Sequence, residues 1–96
     1  MNYELRLENK NIKLNHLRVF EVKYLSATNT KGSRVKINDL RHKKSIIISY
    51  NYRLDGIKEI AINELINKGI KINSFSYNEK NHNYYINTLD FETQIK

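Results

Sequence analysis

The sequence predicts an α+β fold in which one helix packs on one face of an antiparallel or mixed sheet. Three observations predict it: three strand-like runs come first, one amphipathic helical pattern follows them, and two further strand-like runs come last. The predicted order is therefore β-β-β-α-β-β, with strands over 17–27, 33–37, 45–52, 70–77 and 83–89 and a helix over 55–69.

The length of 96 residues predicts a single domain spanning 1–96. No apolar run approaches the roughly 20 residues that cross a bilayer. The N-terminus carries Glu4 and Glu8 and lacks the apolar segment of a signal peptide, and the chain contains no cysteine. We therefore expect a cytoplasmic protein without membrane spans or disulfides.

The first sixteen residues are open to two interpretations. Tyr3, Leu5 and Leu7 alternate with polar residues, and the turn-like sequence "ENKN" follows at 8–11. This pattern predicts either a short strand or a loosely packed arm.

Alternation predicts which side chains of the next two strands face the core: Phe20, Val22, Val35 and Ile37. Their neighbours, including Arg34 and Lys36, are expected on the opposite face. The turn between the strands contains Gly32, which can take a positive φ without steric cost. The continuous β-branched run Ile46–Ile48 predicts a central strand that is covered on both faces.

Residues 55–69 carry the end signals of a helix. Asp55 is expected to be the N-cap, because its carboxylate can accept hydrogen bonds from the free N–H groups of the first turn. Gly69 is expected just past the end in the left-handed conformation, which would bring Ile70 back onto Leu65. The last residues, 90–96, are predicted as a tail that docks through Phe91 and Ile95.

The charge of the chain is strongly positive and unevenly distributed. The formal net charge is +7, and residues 1–48 carry eleven Lys or Arg against four Asp or Glu, whereas residues 49–96 carry six of each. The abundance of Asn, Ile and Tyr indicates AT-rich codons, which also favour Lys. Codon bias does not segregate charge between halves, so the asymmetry indicates one basic surface.

Six cations lie within residues 31–44, near tyrosines that can stack on bases. The candidate residues for nucleic-acid or partner binding are Asn29, Thr30, Lys31, Arg34, Lys36, Arg41, Lys43, Lys44, Tyr50 and Tyr52. Tyr24 is a further candidate for stacking. The cations would neutralise phosphates, and the rings would stack on bases of any sequence. The alternative is that this stretch is the solvated side of an ordinary hairpin.

The residue patterns of enzymes and metal sites do not occur. His16, His42 and His82 lie in separate segments without the spacing of a metal site. No serine lies in a nucleophile elbow, and capping and solvation explain the helix carboxylates. We therefore expect no catalytic residues, no metal and no cofactor.

Two segments carry a resemblance to a protein family. These are "ATNTKGSRVKINDLRHKKSIIISYNY" and "IKEIAINELINKGIKI", and the most specific part is Thr28 to Ile37. Over about residues 18–96, the chain resembles small proteins encoded by phages and mobile elements of AT-rich bacteria. The resemblance implies an accessory gene product that acts in a host cell by binding rather than by catalysis.

Three functions remain open after the resemblance. In the first, the chain binds nucleic acid, either RNA or single-stranded DNA, directly through its basic surface. Alternatively, it is an anti-CRISPR type of inhibitor that binds the ribonucleoprotein of a host RNA-guided nuclease. The third possibility is a virion component or self-associating module that uses exposed strand edges.

Overall fold

The computed structural model describes residues 2–95, which form seven strands and one helix. The elements are β1 (Asn2–Leu7), β2 (Lys10–Asn15), β3 (Arg18–Leu25), β4 (Arg34–Asp39), β5 (Lys44–Ser49), α1 (Ile57–Asn67), β6 (Ser74–Asn78) and β7 (Asn83–Thr88). The predicted α+β class is confirmed. The predicted element order is wrong, because two strands rather than one short strand or an arm precede β3.

The strands form two antiparallel sheets. β1 pairs only with β2, and the other strands form a five-stranded sheet in the order β5-β4-β3-β7-β6. β7 inserts beside β3, so the C-terminal hairpin extends the meander on the side opposite β5. The helix α1 packs over β3 and β4.

The predicted alternation places the core correctly. Phe20, Val22, Val35 and Ile37 are completely buried on the face that α1 covers. The helix contributes three buried side chains to the same core: Ile60, Ala61 and Leu65. The other face of the sheet, which no helix covers among residues 2–95, carries Arg34 and Lys36 as predicted; we call it the open face.

The position of β5 differs from the prediction. β5 is an edge strand that pairs only with β4, and Ile47 is 52% exposed on the open face. Ile46 and Ile48 point to the other side and pack against the core. A β-branched run predicts a strand, but its place in the sheet depends on distant pairings.

The two ends of α1 contrast with each other. The N-cap is Gly56 in an extended conformation, without a side-chain hydrogen bond, so the prediction of Asp55 as the cap is wrong. The C-terminal prediction is confirmed: Gly69 has φ 89°, and the N–H groups of Gly69 and Ile70 donate to the carbonyls of Ile66 and Leu65.

The C-terminal residues complete the core. Ile95 is fully buried and Phe91 almost so, which confirms that this segment docks. The guanidinium of Arg41 donates to the carbonyl of Phe91 at 3.1 Å and lies 4.9 Å from the centre of its ring. The tail is therefore a structural part of the fold.

The hairpin of β1 and β2 extends away from the five-stranded sheet. Its register places Leu5 opposite Ile12, with Leu7 and Leu14 on the same side, so this face of the hairpin is largely apolar except for Lys10 opposite Leu7. Leu7 and Leu14 are exposed, and no extensive contact joins the hairpin to another strand or helix of the described chain. The described residues are accordingly elongated, with extents of 58 × 29 × 24 Å.

A variant that begins at residue 16 is expected to unfold with a free energy within about 1 kcal/mol of the complete chain, because no core residue lies in the hairpin. The matched control lacks residues 91–96 and loses buried Phe91 and Ile95. Removal of two large buried side chains costs more than about 5 kcal/mol. Urea unfolding followed by circular dichroism measures both variants, and a large loss in the first would contradict an independent hairpin.

Candidate nucleic-acid interface

The candidate residues lie on three parts of the five-stranded sheet. β4 runs from the end where Arg34 lies to the end where Asp39 lies, a distance of about 17 Å for six residues. We call the end of the sheet at Arg34, together with the connection 26–33, the tyrosine end. We call the end at Asp39, together with the turn 40–43, the turn end. The tyrosine end holds Asn29, Thr30, Lys31, Arg34, Tyr50 and Tyr52; the open face holds Lys36; the turn end holds Arg41, Lys43 and Lys44.

Three tyrosines form a cluster at the tyrosine end. The Tyr50 ring lies 4.8 Å from that of Tyr52 and 6.1 Å, edge to face, from that of Tyr24. Tyr52 is 80% exposed, and Tyr24 is exposed as well. The rings form a shallow pocket with Ser33 and Ile57. The arrangement places apolar ring faces at the surface beside the basic loop.

Ser33 holds the cluster in place. Its hydroxyl lies 2.8 Å from the Tyr24 hydroxyl, and its carbonyl accepts a 3.1 Å hydrogen bond from the N–H of Tyr50. These bonds join the end of β3 to the residue after β5 across the start of β4. The relative positions of Tyr24 and Tyr50 therefore follow from strand pairing.

The connection 26–33 is shaped by Thr28 rather than by Gly32. The Thr28 hydroxyl accepts hydrogen bonds from the N–H groups of Thr30 and Lys31, at 3.4 and 3.1 Å, and the Thr28 N–H donates to the Lys31 carbonyl at 2.7 Å. Gly32 does not have a positive φ, so the expectation that it adopts this conformation in the turn is wrong. Asn29, Thr30 and Lys31 are exposed at the tip, where they can reach a ligand.

The open face carries three cations at its tyrosine end. Lys36 lies directly opposite Lys23 in the β3–β4 register, and Arg34 is two residues away on the same side. Like charges that face each other across strands are destabilising. Lys23 reaches Glu21 at 3.6 Å, whereas no carboxylate of residues 4–95 lies within ion-pair distance of Lys36 or Arg34. A bound anion would relieve this repulsion.

A carboxylate occupies the middle of the open face. Glu21 accepts hydrogen bonds from the side-chain amide of Asn38 at 2.9 Å and from the Tyr85 hydroxyl at 3.3 Å. Its negative charge opposes the binding of phosphate there. The favourable region for an anion is therefore the tyrosine end rather than the whole face.

Two of the three cations of the turn end have structural partners. Arg41 holds Phe91, as described above, and the ammonium of Lys44 donates to the side-chain amide of Gln94. Lys43 lies in the turn with φ 53° and an exposed side chain. The structure thus separates these three cations from the tyrosine cluster, although they are close in sequence to Lys36.

The turn end also contains a buried ionic cluster that was not predicted. Arg18 and Asp39 form a 2.6 Å ion pair with fully buried side chains, and His42 Nδ1 lies 2.9 Å from the same carboxylate oxygen of Asp39. Arg18 also donates to the carbonyl of Asp90 at 2.9 Å. The alternation of β3 carries a signal for this cluster, because Arg18 is two residues from buried Phe20 and therefore faces the same side of the sheet.

The cluster controls the protonation of its carboxyl group. Burial by itself raises the pKa of Asp39, but the hydrogen bonds from Arg18 and His42 and the positive charge of Arg18 outweigh burial. The pKa of Asp39 therefore lies below its ordinary value of 3.8. The turn N–H groups of Arg41 and His42 also donate to this carboxylate. These contacts assign the cluster a structural role.

Comparisons of the chain with protein-family models, with curated proteins and with solved structures gave no match. Within the part of the chain that the structure describes, no helix is both long and apolar enough to cross a membrane. The same residues contain no group of three or more His, Cys, Asp or Glu that could hold a metal ion.

Proposed function

We propose that this protein binds single-stranded nucleic acid, RNA or DNA, without catalysis, at the tyrosine end of its sheet. The single observation that carries the proposal is the exposure of Tyr52, 80% of which is accessible while its ring packs on Tyr50. An exposed tyrosine of this kind contributes little to folding. A ring with an open face beside cations suits stacking on a base.

The charges around the rings fit the backbone of the same ligand. Lys31 lies at the tip of the connection 26–33 and Arg53 follows Tyr52, both with exposed side chains. Arg34 begins β4 at the same end of the sheet, with its side chain on the open face and the Tyr24 ring on the helix-covered side. Phosphates between successive bases would approach these cations while the bases stack on the rings. A duplex keeps its bases stacked on one another, so it cannot use the rings in this way.

The proposal predicts a salt-sensitive affinity that depends on the tyrosine end. The test variant reverses Lys31, Arg34 and Arg53, three cations at the tyrosine end, to Glu. The control reverses Lys10, Lys43 and Lys71, which are exposed elsewhere on the molecule, so that both variants have the same net charge. Three phosphate contacts give a slope of about −2 in log K against log salt, hence roughly 15-fold weaker binding at 200 mM than at 50 mM salt.

Fluorescence anisotropy with labelled single- and double-stranded RNA and DNA measures these affinities. We expect wild type and the control variant to bind the single strands with the same salt slope, and the test variant to lose binding. Equal losses in the two variants would show that only the net charge matters. Absence of binding by wild type at 50 mM salt would refute the proposal.

A second candidate function is inhibition of a host RNA-guided nuclease through contact with its ribonucleoprotein. The observation that favours it is the apolar face of the β1–β2 hairpin, where Leu7 and Leu14 are exposed. An isolated hairpin is only marginally stable in water, so a protein partner would stabilise it. Under this alternative, Leu7→Lys would abolish inhibition of the nuclease and leave the affinity for free RNA unchanged.

A further inference from the structure

A second group of aromatic rings lies beside α1 on the helix-covered side of the sheet. The Tyr77 ring is 4.7 Å from that of Tyr84, and the Phe75 ring is 6.4 Å from that of Tyr84. The Tyr77 hydroxyl lies 2.6 Å from Nδ1 of His82. Strands β6 and β7 hold this group, which none of the sequence patterns predicted.

These rings are only partly covered by the fold. α1 packs over β3 and β4, which leaves the helix side of the edge strand β6 open. Phe75 is 50% exposed and Tyr77 is 44% exposed. The exposed area is therefore a consequence of where the helix crosses the sheet.

The second group continues the tyrosine cluster across the sheet. Tyr84 lies directly opposite Val22, and Tyr24 is two residues further along β3 on the same face. Diagonal neighbours of this kind are about 7–8 Å apart. The six rings consequently follow a path from β5 to β6 that spans four strand spacings, or about 19 Å.

A cation lies against the second group of rings. The ammonium of Lys58, in the first turn of α1, is 4.4 Å from the centre of the Phe75 ring and 5.8 Å from that of Tyr84. Its ion-pair partner is Glu59 at 3.1 Å, and both side chains are partly exposed. Such a pair is weak, so a phosphate can replace Glu59.

We propose that the bound strand extends from the Tyr24–Tyr50–Tyr52 cluster past Lys58 to a second stacking platform formed by Phe75, Tyr77 and Tyr84. This inference rests on the proposed function and specifies the ligand further: a single strand of about four or more nucleotides. Shorter strands occupy one platform only. The positive charge of the chain, +7, suits the polyanion rather than a second copy of the protein.

The test compares labelled oligothymidylates of three and eight nucleotides in anisotropy titrations. For wild type, we expect the longer strand to bind at least tenfold more tightly. The Phe75→Ala/Tyr77→Ala double variant is expected to keep the affinity for the trimer within about threefold and to reduce the affinity for the octamer by about 5- to 150-fold. Circular dichroism establishes that the edge strand still forms.

The Lys58→Glu variant tests the same path by charge reversal. A negative charge in the first turn of a helix is favourable, which offsets part of the loss of the Glu59 ion pair and of the ring contacts. Urea unfolding establishes that the fold is kept. We expect it to lower the affinity for the octamer at least threefold and to reduce the salt slope by about 0.7. For the Phe75→Ala/Tyr77→Ala variant, the matched control is Tyr85→Ala, because Tyr85 is an aromatic residue of the same sheet that lies on the open face beside Glu21.

The outcomes separate this inference from the proposed function. If Tyr52→Ala weakens binding while the double variant and Lys58→Glu bind the octamer as wild type does, the second platform does not exist and the proposed function stands. If wild type binds neither oligonucleotide at 50 mM salt, the proposed function fails and this inference fails with it.

Discussion

Replacement of Arg18 by methionine is expected to lower the free energy of unfolding by about 3–5 kcal/mol, because it leaves the carboxylate of Asp39 buried without its cation. A domain of this size has a total stability of about 5–15 kcal/mol. The midpoint of thermal unfolding should therefore fall by about 15–30 °C. Calorimetry at pH 7 measures the change.

A double-mutant cycle separates the lost ion pair from lost packing. Asp39→Asn keeps an oxygen that can accept from the turn N–H groups of Arg41 and His42, but removes the negative charge. The Arg18→Met/Asp39→Asn variant should therefore be more stable than Arg18→Met alone. If the two single losses simply add, the charges do not interact and the assignment of a buried pair is wrong.

Acid titration provides an independent measurement of the same cluster. Because the folded-state pKa of Asp39 lies below 3.8, its ionised form stabilises the folded protein above about that pH, and this stability is lost as the pH falls through the folded-state value. Wild type and Asp39→Asn should thus differ most at neutral pH. Their free energies of unfolding should converge as the pH falls through the folded-state pKa of Asp39.

Local patterns in the sequence were sufficient to predict part of this fold. Period-two alternation identified the buried faces of β3 and β4, since every second residue of a strand faces the same side. Gly69 identified the end of α1, because a left-handed residue there closes the last turn. Both signals act within a few residues, so they do not depend on the rest of the chain.

The parts that could not be predicted depend on pairings between distant segments. The run Ile46–Ile48 suits a central or an edge strand, and only the order of the whole sheet makes it an edge. Arg18 is in phase with Phe20, but its partner Asp39 follows only from the β3–β4 register. Charged residues at core-facing positions are the signal that would have predicted the buried pair.

The candidate site shows the same limitation. Proximity in sequence suggested one basic surface over residues 31–44, but an extended strand carries its two ends apart, so Lys31 and Lys43 lie at opposite ends of the sheet. The reverse holds for Tyr24 and Tyr84, which are distant in sequence and become neighbours because β7 pairs with β3. Aromatic residues on separate strands can be recognised as one surface only when the strand order is known.

Tyr52→Ala is expected to weaken the binding of single-stranded nucleic acid by about 5- to 150-fold, which corresponds to the 1–3 kcal/mol that one stacked base contributes. The free energy of unfolding should change by less than about 0.5 kcal/mol, because 80% of the side chain is already exposed to solvent. Anisotropy titrations and urea unfolding on the same samples measure the two quantities.

Two further substitutions identify the property of Tyr52 that matters. Tyr52→Phe keeps the ring and loses the hydroxyl, so it should bind as wild type does if stacking is the source of affinity. Tyr85→Ala removes a tyrosine from the open face and should leave the affinity unchanged. Stacking is independent of net charge, so the loss of affinity in Tyr52→Ala should persist at 200 mM salt. The loss of affinity caused by reversing Lys31, Arg34 and Arg53 should instead decrease with salt. A hydroxyl-dependent affinity would instead point to a hydrogen bond from Tyr52.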